Sequence, residues 1–419
     1  MAGGSAGHPA LVRCVSVDPA RFARDHWSRR ALLSTREMLP SSFDDLFSPA
    51  AVDELLSRRG LRTPFIRLAR DGEVTNSRRY TRPGGVGAQV GDQVADDRVL
   101  ELFLDGHTIV LQGLHRLWPP VIDFAAALTT DLGHPVQVNA YVTPRSSSGF
   151  SAHYDVHDVF VLQVSGQKRW RIHEPVLRDP SRDQPWTDHR ATVEARAAEE
   201  PVIDAVLRPG DALYLPRGFL HAARALGEVS IHLTVGVHPV TRQAVVEALA
   251  GLVADDPALR TSLPLGVDVS DPADLEPDVS ATVEVLVARL RAMTTQDVAR
   301  RLAERQVAGS RPGPIAPLAQ AAAFDRLDND SVLTVRPHLR AAVRQDGDTV
   351  EVVLPDRTLR LPPETSKALR ALVDGAPLRV ADLPGLDPDD ALVLARRLVR
   401  EAVAVVEGPA GAVTGDVAP

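Results

Sequence analysis

His153-Tyr154-Asp155-Val156-His157-Asp158-Val159-Phe160-Val161-Leu162-Gln163-Val164-Ser165-Gly166-Gln167-Lys168-Arg169-Trp170-Arg171-Ile172-His173 is the stretch that decides the architecture. It predicts two strands, His157 to Val164 and Lys168 to His173, joined by Ser165-Gly166-Gln167, a short turn carrying glycine. Side chains alternate across a strand, so His153 and Asp155 can point together to one face while Tyr154 points away. Upstream, Val136 to Val142 alternates in the same manner. Downstream, after a charged insert from Arg178 to Glu200, further strands are expected at Val202 to Leu207, Ala212 to Leu215 and Glu228 to Val237. Arg208-Pro209-Gly210-Asp211 and Pro216-Arg217-Gly218 are turns, and the second places His221 where another strand begins. Many short strands at hairpin spacing indicate an antiparallel barrel or sandwich.

Outside this block the pattern changes. Thr108 to Leu111 predicts a short strand and Pro120 to Leu132 an amphipathic helix, while residues 61–95 are polar and rich in turn signals. Ala244 to Ala254, Val279 to Met293 and Thr295 to Val307 have apolar residues at three-and-four spacing, as helices do. Gly309 to Pro317 has the composition of a linker. Strands at Val350 to Leu354 and Thr358 to Leu361, with helices at Pro363 to Val373 and Asp387 to Val399, suggest a small winged-helix-like module. The expected division is 1–240, 241–325, 326–407 and a disordered tail at 408–419.

The 419 residues exceed one ordinary core, so two or three domains are the natural expectation. Hydrophobic residues at 44% and charged residues at 24% describe a globular chain. A net charge of −8 argues against a surface built throughout for nucleic acid. From Leu333 to Pro419 there are 11 Lys and Arg against 13 Asp and Glu, so the C-terminal module is expected to pack or dimerise rather than bind nucleic acid directly; a transcriptional regulator acting through it is disfavoured. One cysteine, Cys14, excludes an internal disulfide and a multi-cysteine zinc site, and points to a reducing cytoplasm. Met1 to Cys14 lacks the order of a signal peptide, and no apolar run approaches the roughly 20 residues that span a bilayer.

A His-x-Asp pair with one distant histidine in a barrel is the composition of the facial triad, which favours non-haem iron(II) and leaves coordination positions open. His153, Asp155 and His221 are the candidate ligands. A 2-oxo acid can occupy two open positions, and a cation is then needed for its second carboxylate; Lys168, opening the strand after the glycine turn, is the candidate. Asn139 and Tyr141 share a strand face and could bond co-substrate or substrate, and Arg116 and Trp118 are candidates for the substrate side. Each has a structural alternative: His-x-Asp pairs recur by chance, a lone lysine is more often a solvated strand end, and Trp118 and Trp170 are more often core. His157 shares parity with His153 and Asp155 and could replace one ligand or join an isomerase-type site.

In order, Asn139-Ala140-Tyr141, Gly166-Gln167-Lys168-Arg169-Trp170, Gly210-Asp211-Ala212-Leu213-Tyr214-Leu215-Pro216 with His221, and Ser230-Ile231-His232-Leu233-Thr234 resemble the JmjC-type cupin oxygenases, specifically the ribosomal oxygenase group of histidyl and arginyl hydroxylases. His26-Trp27 with Ala31-Leu32-Leu33 resembles that group's opening more loosely. The resemblance implies an α+β fold: a double-stranded β-helix (cupin, jelly-roll) barrel, a helical dimerisation segment and a winged-helix-like module. It implies Fe(II) at His153, Asp155 and His221, 2-oxoglutarate on Lys168 with Tyr141 and Thr234 nearby, and Asn139 near metal and substrate. The implied reaction is hydroxylation of a protein side chain, a ribosomal histidine or arginine, releasing succinate and CO2, by a homodimer. Gly236 departs from the pattern, standing where relatives that hydroxylate histidine are expected to have a small hydroxyl residue. Two alternatives stay open: the same chemistry on a small molecule or biosynthetic peptide, and a non-oxidising metal-binding cupin or isomerase.

Overall fold

The computed structural model describes residues 8–70, 72–145, 151–309 and 311–407; the expected tail at 408–419 lies outside them. The chain divides into two compact units, Met1–Pro239 and Val240–Pro419.

The first unit carries strands β1 (Leu32–Ser34), β2 (Ile66–Arg70), β3 (Glu73–Val74), β4 (Thr81–Arg82), β5 (Gln93–Val94), β6 (Thr108–Leu111), β7 (Val136–Thr143), β8 (Asp158–Ser165), β9 (Lys168–His173), β10 (Ile203–Leu207), β11 (Ala212–Leu215), β12 (Leu220–Ala225) and β13 (Ser230–Val237). Eight of them form one sheet in the order β1-β11-β8-β13-β7-β6-β2-β3, and β10-β9-β12 form a second. Neighbouring strands pair antiparallel. The charged insert holds a helix, Arg190–Ala197.

The apolar run of β8 is explained by burial on both faces. Phe160 and Leu162 join a core with Phe22, Phe43, Phe47, Leu128 and Leu233. Val159 and Val161, on the opposite face, join Trp170, Ile172, Leu207 and Leu213, so this face meets the second sheet. A strand buried on both faces gains nothing from polar alternation. Gly166 makes the β8–β9 turn at φ 63°, and a Cβ there would overlap the Val229 carbonyl oxygen.

At the head of β8 the fully buried Asp158 carboxylate accepts from the Tyr214 hydroxyl at 2.6 Å and from the Arg217 backbone N–H at 3.0 Å. It thereby ties β8 to the turn that delivers His221. Asp158→Ala would orphan both donors, and a cost of about 3 kcal/mol is expected from the loss of a buried charged acceptor. A denaturant midpoint moved by less than about 1 kcal/mol equivalent would contradict that role.

The segment 61–95 is more ordered than its polarity suggests. It contributes β2, with Ile66, Leu68 and Ala69 buried, as a strand of the large sheet, because polar flanks hide a short buried strand.

The second unit begins with helices Arg242–Ala254, Pro272–Ala292 and Thr295–Gly309. Residues 311–316 have no regular structure, as the linker reading expects, but Gly309 closes a helix and Pro317 opens the next, Pro317–Asp325. A hairpin sheet (Ala342–Asp346, Thr349–Val353, Thr358–Leu361) and the helices Ser366–Val373 and Pro388–Arg400 share a core of Val350, Val352, Leu369, Leu372, Leu394 and Leu398. Among the described residues no helix is long and apolar enough to cross a membrane.

Candidate metal centre

His153 precedes β8 and His221 lies on β12, and an isolated antiparallel bridge joins them: His221 N–H donates to the His153 carbonyl at 2.9 Å and the reverse bond is 3.2 Å. Gly218 N–H donates to the Asp155 carbonyl at 3.0 Å, and its φ of 87° requires glycine at that turn. Backbone bonds therefore hold the three candidate ligands together. One ligand atom from each of His153, Asp155 and His221 lies within 4.8 Å of the others, with His221 Nε2 3.8 Å from Asp155 Oδ2.

The imidazole tautomers suit a metal. His153 Nδ1 faces the Ser151 carbonyl at 2.8 Å and His221 Nδ1 faces the Phe219 carbonyl at 3.1 Å. A carbonyl can only accept, so each Nδ1 carries the proton and each Nε2 keeps its lone pair for a ligand bond. Burial pushes His221 down to about 4, with His153 adding to it, so this imidazole is neutral at pH 7. Burial pushes the Asp155 carboxyl up, but His221, His157, His153 and Arg67 more than offset this and hold it below the ordinary carboxylate value. Two imidazole nitrogens and one carboxylate suit a divalent ion of intermediate hardness. His157 is outside the three-ligand set; its ring packs 5.2 Å from that of His238.

A cavity of about 250 Å³ opens beside the triad. Tyr141, Val159, Val161, His232 and Thr234 line it from the large sheet; Lys168, Trp170, His221, Ala222 and Ala223 line it from the small one. Lys168 is 3% exposed, its Nζ donates to Thr143 Oγ1 at 3.0 Å, and its ammonium stands 5.9 Å over the Trp170 ring. Burial pushes it down to about 7. No carboxylate besides Asp155 is among the described lining residues. A buried ammonium with a neutral hydroxyl for company is a site built for an arriving anion.

Of the residues singled out in the sequence, the structure gathers His153, Asp155, His221, Lys168, Tyr141 and Thr234 around this cavity. Asn139 and Arg116 are not among its lining residues; Asn139 Oδ1 accepts from Gly113 N–H at 3.0 Å, capping a left-handed glycine. At Gly236, a Cβ would come within 3.2 Å of Gln137 and of the His157 ring, so these two side chains close over the position where a hydroxyl was expected. Four features escaped the sequence reading. Thr143 follows Asn139 and Tyr141 by strand parity and was findable. His232 stacks on Tyr141 at 5.1 Å, and burial, then Lys168 and His221, drive its pKa well below the usual value. Trp170 belongs to the core, as read, but also walls the cavity. Arg67, on β2, lines the cavity and hydrogen-bonds Tyr141; nothing in its polar surroundings signalled it.

His153, Asp155 and His221, gathered beside a cavity lined from two antiparallel sheets, form a candidate three-ligand metal centre. Residues 122–245 match the JmjC domain family. The chain is 31% identical over 290 residues to "Ribosomal oxygenase 1" of Rattus norvegicus, covering 65% of this chain and 46% of that protein. It is 33% identical over 224 residues to "Ribosomal oxygenase 1" of Homo sapiens, covering 53% and 33%. It is 30% identical over 309 residues to the "Bifunctional lysine-specific demethylase and histidyl-hydroxylase NO66" of Drosophila erecta, covering 69% and 44%. The fold is that of YcfD, a ribosomal oxygenase from Escherichia coli solved with cobalt and 2-oxoglutarate: TM-score 0.55, 21% identity, 94% of this chain and 99% of that one. The chain thus carries a JmjC domain match over residues 122–245, and the curated proteins it is similar to are ribosomal oxygenases and a histidyl-hydroxylase. It spans less than half the length of these curated relatives.

Proposed function

We propose that the protein is an Fe(II)- and 2-oxoglutarate-dependent hydroxylase of a protein side chain, with a ribosomal protein as substrate, as the names of its relatives suggest. The observation that supports this most is one cavity holding both the three-ligand set and the buried Lys168 ammonium. His153, Asp155 and His221 would hold iron, and Lys168 with Thr143 would hold the distal carboxylate of the co-substrate. Bound iron with 2-oxoglutarate supplies the oxidising chemistry: dioxygen is consumed, succinate and CO2 leave, and one oxygen atom enters a substrate C–H bond.

The chain's own residues bind, orient and exclude water. Val159, Val161, Trp170, Ala222 and Ala223 form a dry wall that strengthens the pairing of Lys168 with a carboxylate. Tyr141, Thr234 and the neutral His232 offer uncharged polar contacts along the co-substrate side, and any substrate contact by Asn139 or Arg116 would be made outside this cavity's lining. In this reading the two sheets are the faces of a double-stranded β-helix barrel, residues 241–325 form a dimerisation segment, and 326–407 a winged-helix-like module. The setting is a reducing cytoplasm.

Incubation with Fe(II), 2-oxoglutarate and oxygen tests the chemistry: succinate should form, need iron, and vanish in Asp155→Ala. Its absence from metal-loaded wild type contradicts the proposal.

The dimer rests on helix Pro272–Ala292, which has no buried residue and shows a stripe of Val279 (49% exposed), Val283 (49%), Val287 (39%) and Leu290 (36%). A helix gains most of its stability from a packed apolar face, and a second copy supplies one. Sedimentation should show a dimer that Val283→Glu shifts toward monomer by tenfold or more in dissociation constant; a monomeric wild type contradicts it.

A further inference from the structure

Resting on the hydroxylase reading above, we infer that the substrate side chain presents a hydrogen-bond acceptor (an imidazole nitrogen, an amide carbonyl or a carboxylate) and is neither a guanidinium nor an ammonium. The charges on the cavity wall carry this. With the site loaded, the two charges of the metal and that of Lys168 are matched by Asp155 and the two carboxylates of 2-oxoglutarate. Arg67 is left over. Its guanidinium lines the same cavity, its Nε is buried without a hydrogen-bond partner, and the group it does bond, the Tyr141 phenol, is uncharged.

An arginine substrate would bring a second guanidinium to that wall, where no further carboxylate among the described lining residues could receive it. Recognition of a buried cation requires a paired anion, and without one the desolvation cost is not recovered. Hydrogen-bond polarity points the same way. A guanidinium has donors and no acceptor, so Arg67 can meet a substrate only through an acceptor on the substrate. An imidazole nitrogen, an amide oxygen or a carboxylate provides one; guanidinium and ammonium groups do not.

The test compares proteins from the host with and without the gene, by peptide mass spectrometry, for residues that lose a 16 Da increment. The inference expects the modified residue to be histidine, asparagine, glutamine, aspartate or glutamate, and its identity tells the three acceptor types apart. An increment lost from arginine or lysine overturns the inference while leaving the hydroxylase reading standing. Absence of any lost increment removes the hydroxylase reading, and the inference with it. A second measurement needs no turnover. A peptide carrying the identified residue is titrated onto protein loaded with Mn(II) and 2-oxoglutarate under argon. Arg67→Glu should weaken peptide binding at least tenfold, while Mn(II) binding confirms that the variant is folded and loaded. Peptide affinity within twofold of wild type overturns the role given to Arg67.

Discussion

Asp155→Ala is expected to lose about a hundredfold to a thousandfold in affinity for Fe(II) or its Mn(II) surrogate, more than the 10- to 100-fold that loss of an outer-shell partner costs. Asp155 provides the anionic donor of the three-ligand set, and two imidazole ligands cannot replace its charge. The fold should survive. The part of Asp155 that holds the His221 turn is its backbone carbonyl, which accepts from Gly218 N–H and remains in the variant. Titration of Mn(II) followed by electron paramagnetic resonance, beside a thermal melt, separates the two effects. Unchanged metal affinity in a folded variant would remove Asp155 from the centre and revive His157 as a ligand.

Lys168→Ala is expected to weaken 2-oxoglutarate binding by about a hundredfold or more, the cost of leaving one charge of a buried pair without its partner (about 3–5 kcal/mol). Metal affinity should stay within a few fold, because Lys168 is not a ligand. Lys168→Arg should not restore the wild-type value. The Nζ site is 3% exposed and shaped against Thr143 and Trp170, and a planar fork does not fit where a compact ammonium does. The sign of the pH dependence follows from burial, which lowers the free-state pKa to about 7. A bound carboxylate favours the ammonium and raises that pKa in the complex. Below pH 7 the lysine is already protonated, and this group makes affinity flat. Above pH 7 binding must take up a proton, so the dissociation constant rises by up to tenfold per pH unit until the bound pKa is reached. A dissociation constant flat from pH 7 to 8.5, with proton uptake absent from calorimetry in two buffers, would contradict Lys168 as the anchor.

Much of this site was legible in the chain. Their two-residue spacing pointed to His153 with Asp155, although both lie ahead of β8 and outside any regular strand; parity put Asn139 on one face with Tyr141, and the Gly166 turn placed Lys168 at the start of β9. These are local rules with a period of two residues. What they could not supply was register between distant strands. Thr234 stands opposite Asn139 and His232 opposite Tyr141 through pairing across some ninety residues, a distance over which strand patterns carry no phase. Register explains how His232 stacks on Tyr141. Arg67 was hidden for another reason: β2 is five residues long, its buried positions are interrupted by arginines, and turn residues (Thr63-Pro64 before it, Gly72 after it) flank it closely. Asn139 shows the converse error, since shared parity with Tyr141 did not guarantee a shared cavity; its amide is taken by Gly113. The spacing from Val279 to Met293 marks only the later part of the helix Pro272–Ala292, and periodicity cannot say whether an apolar stripe faces its own core or another chain.

The central claim is that one cavity holds both iron and 2-oxoglutarate. Its most direct test is anaerobic titration of wild type with Fe(II) and 2-oxoglutarate, watching the visible metal-to-ligand charge-transfer band that forms when the 2-oxo acid chelates the metal. A band that needs both components and saturates at one of each per chain is the expected result. A folded, metal-loaded protein that shows no band on addition of 2-oxoglutarate would contradict the account.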